Sequence, residues 1–202
     1  LHRSGKNNWT VIRPYITYSE IRLQLGVLEK ELWLYRALNG RTIVFSKDIA
    51  EKSTTLTYGY DVALGIASII GKETAFGEAF HITSDESYTW KEILEIYLDT
   101  IEKKTGMRPK VLLLDKSPHL EWIGAKWQVI LDRYYNRRFD NSKIQQYIDT
   151  SQFVRTESGL ISCLESFLCH PQFKKMGWGI QGTYDRITGE WACLLYTSPS
   201  PR

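Results

Sequence analysis

Cysteine is scarce in this chain: Cys163, Cys169 and Cys193 are the only three among 202 residues. An odd, sparse set excludes a disulfide framework and fits a reducing compartment, so a cytoplasmic location is expected. Cys163, Cys169 and His170 do not form a tetrahedral zinc spacing, and no metal is expected. Long apolar runs are lacking too. None approaches the roughly 18 residues that a membrane-spanning helix needs, so no membrane partner is expected. The opening Leu1-His2-Arg3-Ser4-Gly5-Lys6 is polar, with no apolar stretch behind it of the kind a secretory leader carries. It lacks an initiator methionine, and a start further upstream is expected. Strong charge of one sign is also missing. A net charge of +3 is too weak to imply a nucleic-acid partner without a concentrated patch.

What the chain does hold is aromatic residues, with 7 Trp and 12 Tyr, so either the core or a ligand cleft is rich in flat rings. Apolar content of 43% and charged content of 24% are ordinary for a globular protein. Residues 9–13, 42–45, 54–58, 79–83 and 110–114 are rich in β-formers and read as strands. Pro14 is expected to end the first of them, because proline cannot donate to a ladder. Helices are predicted over 29–38, about 61–70, from Trp90 to about Gly106, 117–135 and 157–169, with Asn39-Gly40, Gly71 and Gly106 as stops. Thr89 and Glu92 have the spacing of a capping box. Asp61 is expected to cap the helix that it opens. This order gives an α/β protein, part of a sheet with an irregular lobe attached. No internal repeat and no long linker divides it.

One dinucleotide-like pattern occurs, Gly177-Trp178-Gly179-Ile180-Gln181-Gly182. That fingerprint works when it follows a strand and opens a helix, so that helix-terminal N–H groups face a pyrophosphate. Lys174-Lys175-Met176 precedes it instead, and no apolar helix follows. An ordinary glycine-rich turn is expected. His81, among apolar neighbours in a strand, reads as a satisfied core histidine rather than a base.

Four segments, in order, resemble the C-terminal part of the extended short-chain dehydrogenase/reductases, the NAD(P)-dependent epimerase/dehydratase family. They are Asn8–Tyr18 (NWTVIRPYITY), Leu56–Ile70 (LTYGYDVALGIASII), Gly77–Ile93 (GEAFHITSDESYTWKEI) and Phe139–Ile144 (FDNSKI). The resemblance spans about Trp9 to Leu168. It implies a partial Rossmann sheet, holding its last parallel strands at about 9–13 and 79–83, plus a small mixed α/β substrate lobe. Residues 1–193 would form that portion. Leu194–Arg202 resembles a translated sequencing adapter and is expected to be a non-native tail, a Ser/Pro-rich disordered tail being the alternative.

The family carries a glycine-rich phosphate loop near its N-terminus and a Tyr-x-x-x-Lys pair, in which lysine lowers the tyrosine pKa for acid/base work. Neither is expected in this chain: no tyrosine has lysine four residues on. No catalytic residue is therefore assigned. By resemblance, Arg13, Pro14, Tyr15, Ile16 and Thr17 would lie against the nicotinamide end of NAD or NADP. Arg22 and Gln24 would face a small-molecule substrate, a sugar or nucleotide-sugar. Nucleotide-sugar members place an arginine shortly before the Asp-Val-Ala segment, where this chain has Thr54-Thr55. Arg133, Arg137 and Arg138 could supply that charge instead. A homodimer is a further expectation from the family.

A different class stays open: a non-catalytic ligand- or nucleic-acid-binding module. Arg133-Tyr134-Tyr135-Asn136-Arg137-Arg138-Phe139 interleaves cations and rings as single-strand grooves do. The alternative is a helix end carrying cations near its negative dipole terminus.

Overall fold

The computed structural model describes Arg3, residues 5–118 and residues 124–190. Cys193 and the expected tail lie outside the described residues, as do residues 119–123 of the expected 117–135 helix.

The β-prone stretch after Trp9 forms β1 (Val11–Pro14), and the expected strand beside it forms β6 (Ala79–Ile82). The two run parallel with Val11 opposite Ala79 and Pro14 opposite Ile82. Pro14 is the last residue of the strand rather than the breaker outside it. Its missing N–H costs nothing at a strand end. Among the described residues β1 pairs on one edge only. Val11 and Ile12 are half-buried, and Arg13 and Pro14 are exposed.

One residue further on, Ile16–Tyr18 forms β2, which sequence reading passed over. The expected 54–58 strand divides at Thr55 into β4 (Ser53–Thr54) and β5 (Leu56–Tyr58). β5 lies parallel to β2, while β4 lies antiparallel to β7 (Tyr88–Thr89). β3 (Ile43–Ser46) and β8 (Val111–Leu114) make a further parallel pair. The fold is thus mixed α/β, with three parallel strand pairs and one antiparallel pair.

The helices follow the apolar periodicity. α1 (Lys30–Leu38) buries Trp33, Leu34 and the charged Arg36, and a single turn, α2 (Lys47–Ala50), follows β3. α3 (Gly59–Ile69) buries Val62, Gly65 and Ile69. Gly65 has to be glycine, because a Cβ there would stand 2.6 Å from Ile82 Cγ2. α4 (Trp90–Thr105) has both hydrogen bonds of the capping box and ends on Gly106 at φ 75°. α6 (Thr156–Cys169) follows the short α5 (Lys126–Gln128), and α7 (Trp178–Thr188) is last. None of the helices in the described residues is long and apolar enough to cross a membrane.

Three expectations are corrected. The 117–135 helix shrinks, among its described residues, to α5 and a wide π turn, Val129–Arg133, after Gly124 at φ 64° breaks the α-helical path. Gly177–Gly182 is the start of α7 rather than a turn. That helix is held by buried contacts, since Arg36 donates to Gln181 Oε1 at 3.0 Å and to Asp185 at 2.8 Å. Asp61 is not a cap: Tyr58 occupies that position. The Asp61 carboxylate, buried in the first turn of α3, accepts the Val154 N–H at 2.9 Å.

A large core unites β2, β3, α1, α4 and α6. A smaller one, with Val62, Phe80, Ile82, Ile144 and Phe153, lies under β6 and α3. The FDNSKI segment is pinned beside it. Asn141 donates to the Thr83 carbonyl and to Asp85, both at 2.7 Å.

Candidate functional site

β1 ends at Pro14 and β2 begins at Ile16, so Tyr15 sits at the joint between two parallel strand pairs. There its ring packs at 4.7 Å on Phe139, and its hydroxyl donates to Asp132 Oδ1 at 2.7 Å. Asp132 comes from the π turn Val129–Arg133, and its carboxylate meets Arg133 of that turn and Arg137 beyond it. Arg137 Nε donates to Asp132 Oδ1 at 2.9 Å, and Arg133 Nη1 pairs with Oδ2.

Arg133 is buried. Its Nε donates to the Gly26 carbonyl at 3.0 Å, and its guanidinium lies 5.6 Å from the centre of the Trp90 ring. Burial pushes its pKa down, because desolvation disfavours the charged form, while Tyr15 and Glu29 oppose the shift and Arg22 adds to it. Arg137 Nη2 donates to the Leu131 carbonyl at 2.6 Å. Its backbone N–H donates to the Ser53 carbonyl at 2.9 Å, and its own carbonyl accepts the Thr55 hydroxyl at 3.1 Å.

The fold therefore brings Tyr15, Arg133 and Arg137 onto the Asp132 carboxylate, with the Thr55 hydroxyl on the Arg137 carbonyl, while Thr54 is buried at the end of β4. Gln24 and Arg22 border this cluster through Glu29, whose Oε1 accepts from both at 3.2 Å. Ile16 is instead a core residue, and Thr17 is a half-buried strand residue opposite Thr57. Arg13, Pro14 and Arg138 are exposed. His81 is half-buried rather than core: its Nδ1 lies 3.2 Å from the Arg13 carbonyl, and its ring centre is 5.0 Å from that of Phe139. Asp132 and Trp90 are the members that sequence reading missed. Lone charge and core periodicity gave no signal for either.

The basic–aromatic run 133–139 is not an open strip, since Arg133 is buried and Arg137 is tied to a carboxylate and a carbonyl. Among the described residues, the buried atoms Gln24 Oε1 and Thr54 Oγ1 have no hydrogen-bond partner.

No protein-family model matches the sequence, and no curated protein matches it. Solved structures do. A dTDP-glucose 4,6-dehydratase from Streptomyces venezuelae, with NAD and TYD bound, is similar over 84% of this chain and 46% of its own, at 17% identity and TM-score 0.60. A Bacillus cereus UDP-glucuronic acid 4-epimerase, in complex with UDP-glucuronic acid and NAD, is similar over 79% of this chain and 45% of its own, at 18% identity and TM-score 0.56. A Thermotoga maritima UDP-glucose 4-epimerase with UDP-glucose is similar over 81% and 47%, at 17% identity and TM-score 0.55. The chain shares the fold of these enzymes. It spans less than half of each of their chains.

NAD in the first two raises the question of what these residues could hold. Exposed Pro14 and half-buried Tyr15 form a ledge at the end of β1. The glycine-rich start of α7 does not fit a pyrophosphate. No strand runs into the start of α7, and the glycine-rich sequence there forms the helix itself.

Proposed function

We propose that this chain is the substrate-side, C-terminal portion of an NAD(P)-dependent epimerase, dehydratase or reductase acting on a sugar or nucleotide-sugar. Residues 1–193 form that portion, and Leu194–Arg202 is a tail foreign to it. The observation that carries the reading is the Tyr15–Asp132 cluster. It stands just past the end of β1, on a fold shared with NAD-bound sugar enzymes. When bound, the dinucleotide supplies hydride transfer. This chain's part is to orient the substrate: Tyr15 and Pro14 form the ledge, and Gln24, Thr54 and the arginine–Asp132 cluster bound the polar side. Proton transfer belongs to a tyrosine–lysine pair that these 202 residues do not contain.

The coding sequence upstream of Leu1 tests this. It should hold a glycine-rich strand-to-helix loop and, nearer to Leu1, Tyr-x-x-x-Lys. An in-frame stop directly upstream, or a long open frame with neither motif, would refute the reading.

A further inference from the structure

We infer that the outer edge of β8 docks an extended peptide strand of a partner protein, one with aliphatic residues at alternate positions and a carboxylate at its end. This edge shares no residue with the Tyr15–Asp132 cluster, so its fate and that of the proposed function are decided separately.

Among the described residues β8 is paired with β3 alone. Ile43 stands opposite Val111, and its N–H donates to the Lys110 carbonyl at 2.8 Å. In a parallel ladder that register turns the backbone groups of Leu112 and Leu114 toward β3 and those of Val111 and Leu113 away from it. Among the described residues no hydrogen bond reaches the outward N–H and C=O groups of Val111 and Leu113. The chain then leaves β8 toward α2, at the end of β3, where the Ser117 N–H donates to Asp48 at 2.9 Å. A strand edge with unpaired backbone groups is a template for another strand.

A cavity of about 280 Å³ lies between β8 and α4, with Leu94, Leu98, Val111 and Leu113 in its walls and Glu95 and Arg108 at its rim. No residue of β3 lines it. Val111 and Leu113 face it together, as residues two apart in a strand do. A strand added to this edge sets its own alternate side chains beside Val111 and Leu113, and so over the cavity. Leucine, valine or isoleucine gains most from burial against such walls. Charge then selects the source of the strand. Lys110, just before β8, is exposed and has no ion pair among the described residues. A second copy of the chain does not supply one. Two-fold antiparallel pairing of β8 with itself centres on Leu112, which sets Lys110 opposite Leu114, or on Leu113, which sets Lys110 opposite Lys116. An acidic residue at the end of a foreign strand complements Lys110 in a way that neither self-pairing does.

The test uses the 202-residue chain, isotope-labelled for NMR, and the peptide acetyl-Asp-Thr-Thr-Leu-Thr-Val-Asp-amide. Saturable binding with a dissociation constant below about 1 mM is expected. The Val111 and Leu113 amides should exchange more slowly in the complex, with exchange over α7 unchanged. Asparagine in place of the peptide's leucine should weaken binding about tenfold, because an amide gains nothing from an apolar cavity. Lys110→Glu, at an exposed position, should weaken binding of this peptide about twofold to fivefold and strengthen binding of the version with lysine for both aspartates. Failure to saturate by about 1 mM overturns the inference. So does binding that leaves the Val111 and Leu113 amides unprotected, or that ignores either substitution. Protection of the same two amides by raising the protein concentration alone would mean that a second copy takes the edge, and overturns it as well.

Discussion

At the scale of single residues, Asp132 holds the cluster together. It accepts from Tyr15, Arg133 and Arg137, and Arg133 is buried. Asp132→Ala should cost about 3 kcal/mol in urea unfolding at pH 7, because it strands a buried guanidinium. A loss below about 0.5 kcal/mol would place the pair among exposed ones. Asp61 works in the opposite sense. Burial raises its pKa, so the folded chain binds a proton that the unfolded chain releases, and its charged form opposes folding at neutral pH. That penalty fades as pH falls through the raised pKa toward the ordinary carboxylate value. Asp61→Asn keeps an acceptor for the Val154 N–H without the charge. Its stability relative to wild type should be higher at pH 7 than at pH 4, as read from urea midpoints at the two pH values. Carboxylates held low by hydrogen bonds act the other way. Glu92 accepts the Thr89 N–H and hydroxyl, and its contribution is lost as pH falls through its lowered pKa.

At the scale of elements, what was legible was whatever chemistry is local. The capping box of α4, the Gly106 stop and the Asn39-Gly40 stop depend on residues within one turn, and all three stand as read. Thr89→Ala should cost about 1 kcal/mol by loss of the Glu92 N–H bond. What was illegible depends on distant partners. α7 looks like a glycine-rich turn in sequence, but buried Arg36 holds it through Gln181 and Asp185, with Arg41 adding a second pair to Asp185 at 2.7 Å. Arg36→Met should therefore release α7 selectively. Amide exchange over residues 178–188 should accelerate while that over α4 stays slow. Equal acceleration in both would show that Arg36 supports the whole core instead. The π turn was equally hidden, since helix periodicity cannot reveal the extra residue that aims Asp132 at Tyr15.

At the scale of the molecule, the parallel strands of β1 and β6 were readable from composition, and the resemblance placed them side by side in the order found. Of the residues named from sequence, Tyr15, Arg133, Arg137 and Thr55 are linked through Asp132 and the Arg137 carbonyl, whereas Thr54 is buried in β4. Ile16 lies in the core and Thr17 is a half-buried residue of β2 opposite Thr57. Parallel strands are normally covered on both faces, yet among the described residues β1 pairs on one edge only, with Val11 and Ile12 half-buried. Tyr60, Leu64 and Ile70 on and beside α3 are exposed as well. In the proposed function these are the surfaces that a nucleotide-binding portion would cover. Calorimetric titration of NAD into the 202-residue chain tests this most directly. The account predicts no saturable heat below about 1 mM, because the ledge at Pro14 and Tyr15 reaches only one end of the dinucleotide. Binding in the micromolar range would mean that these residues hold the whole cofactor, and would contradict it.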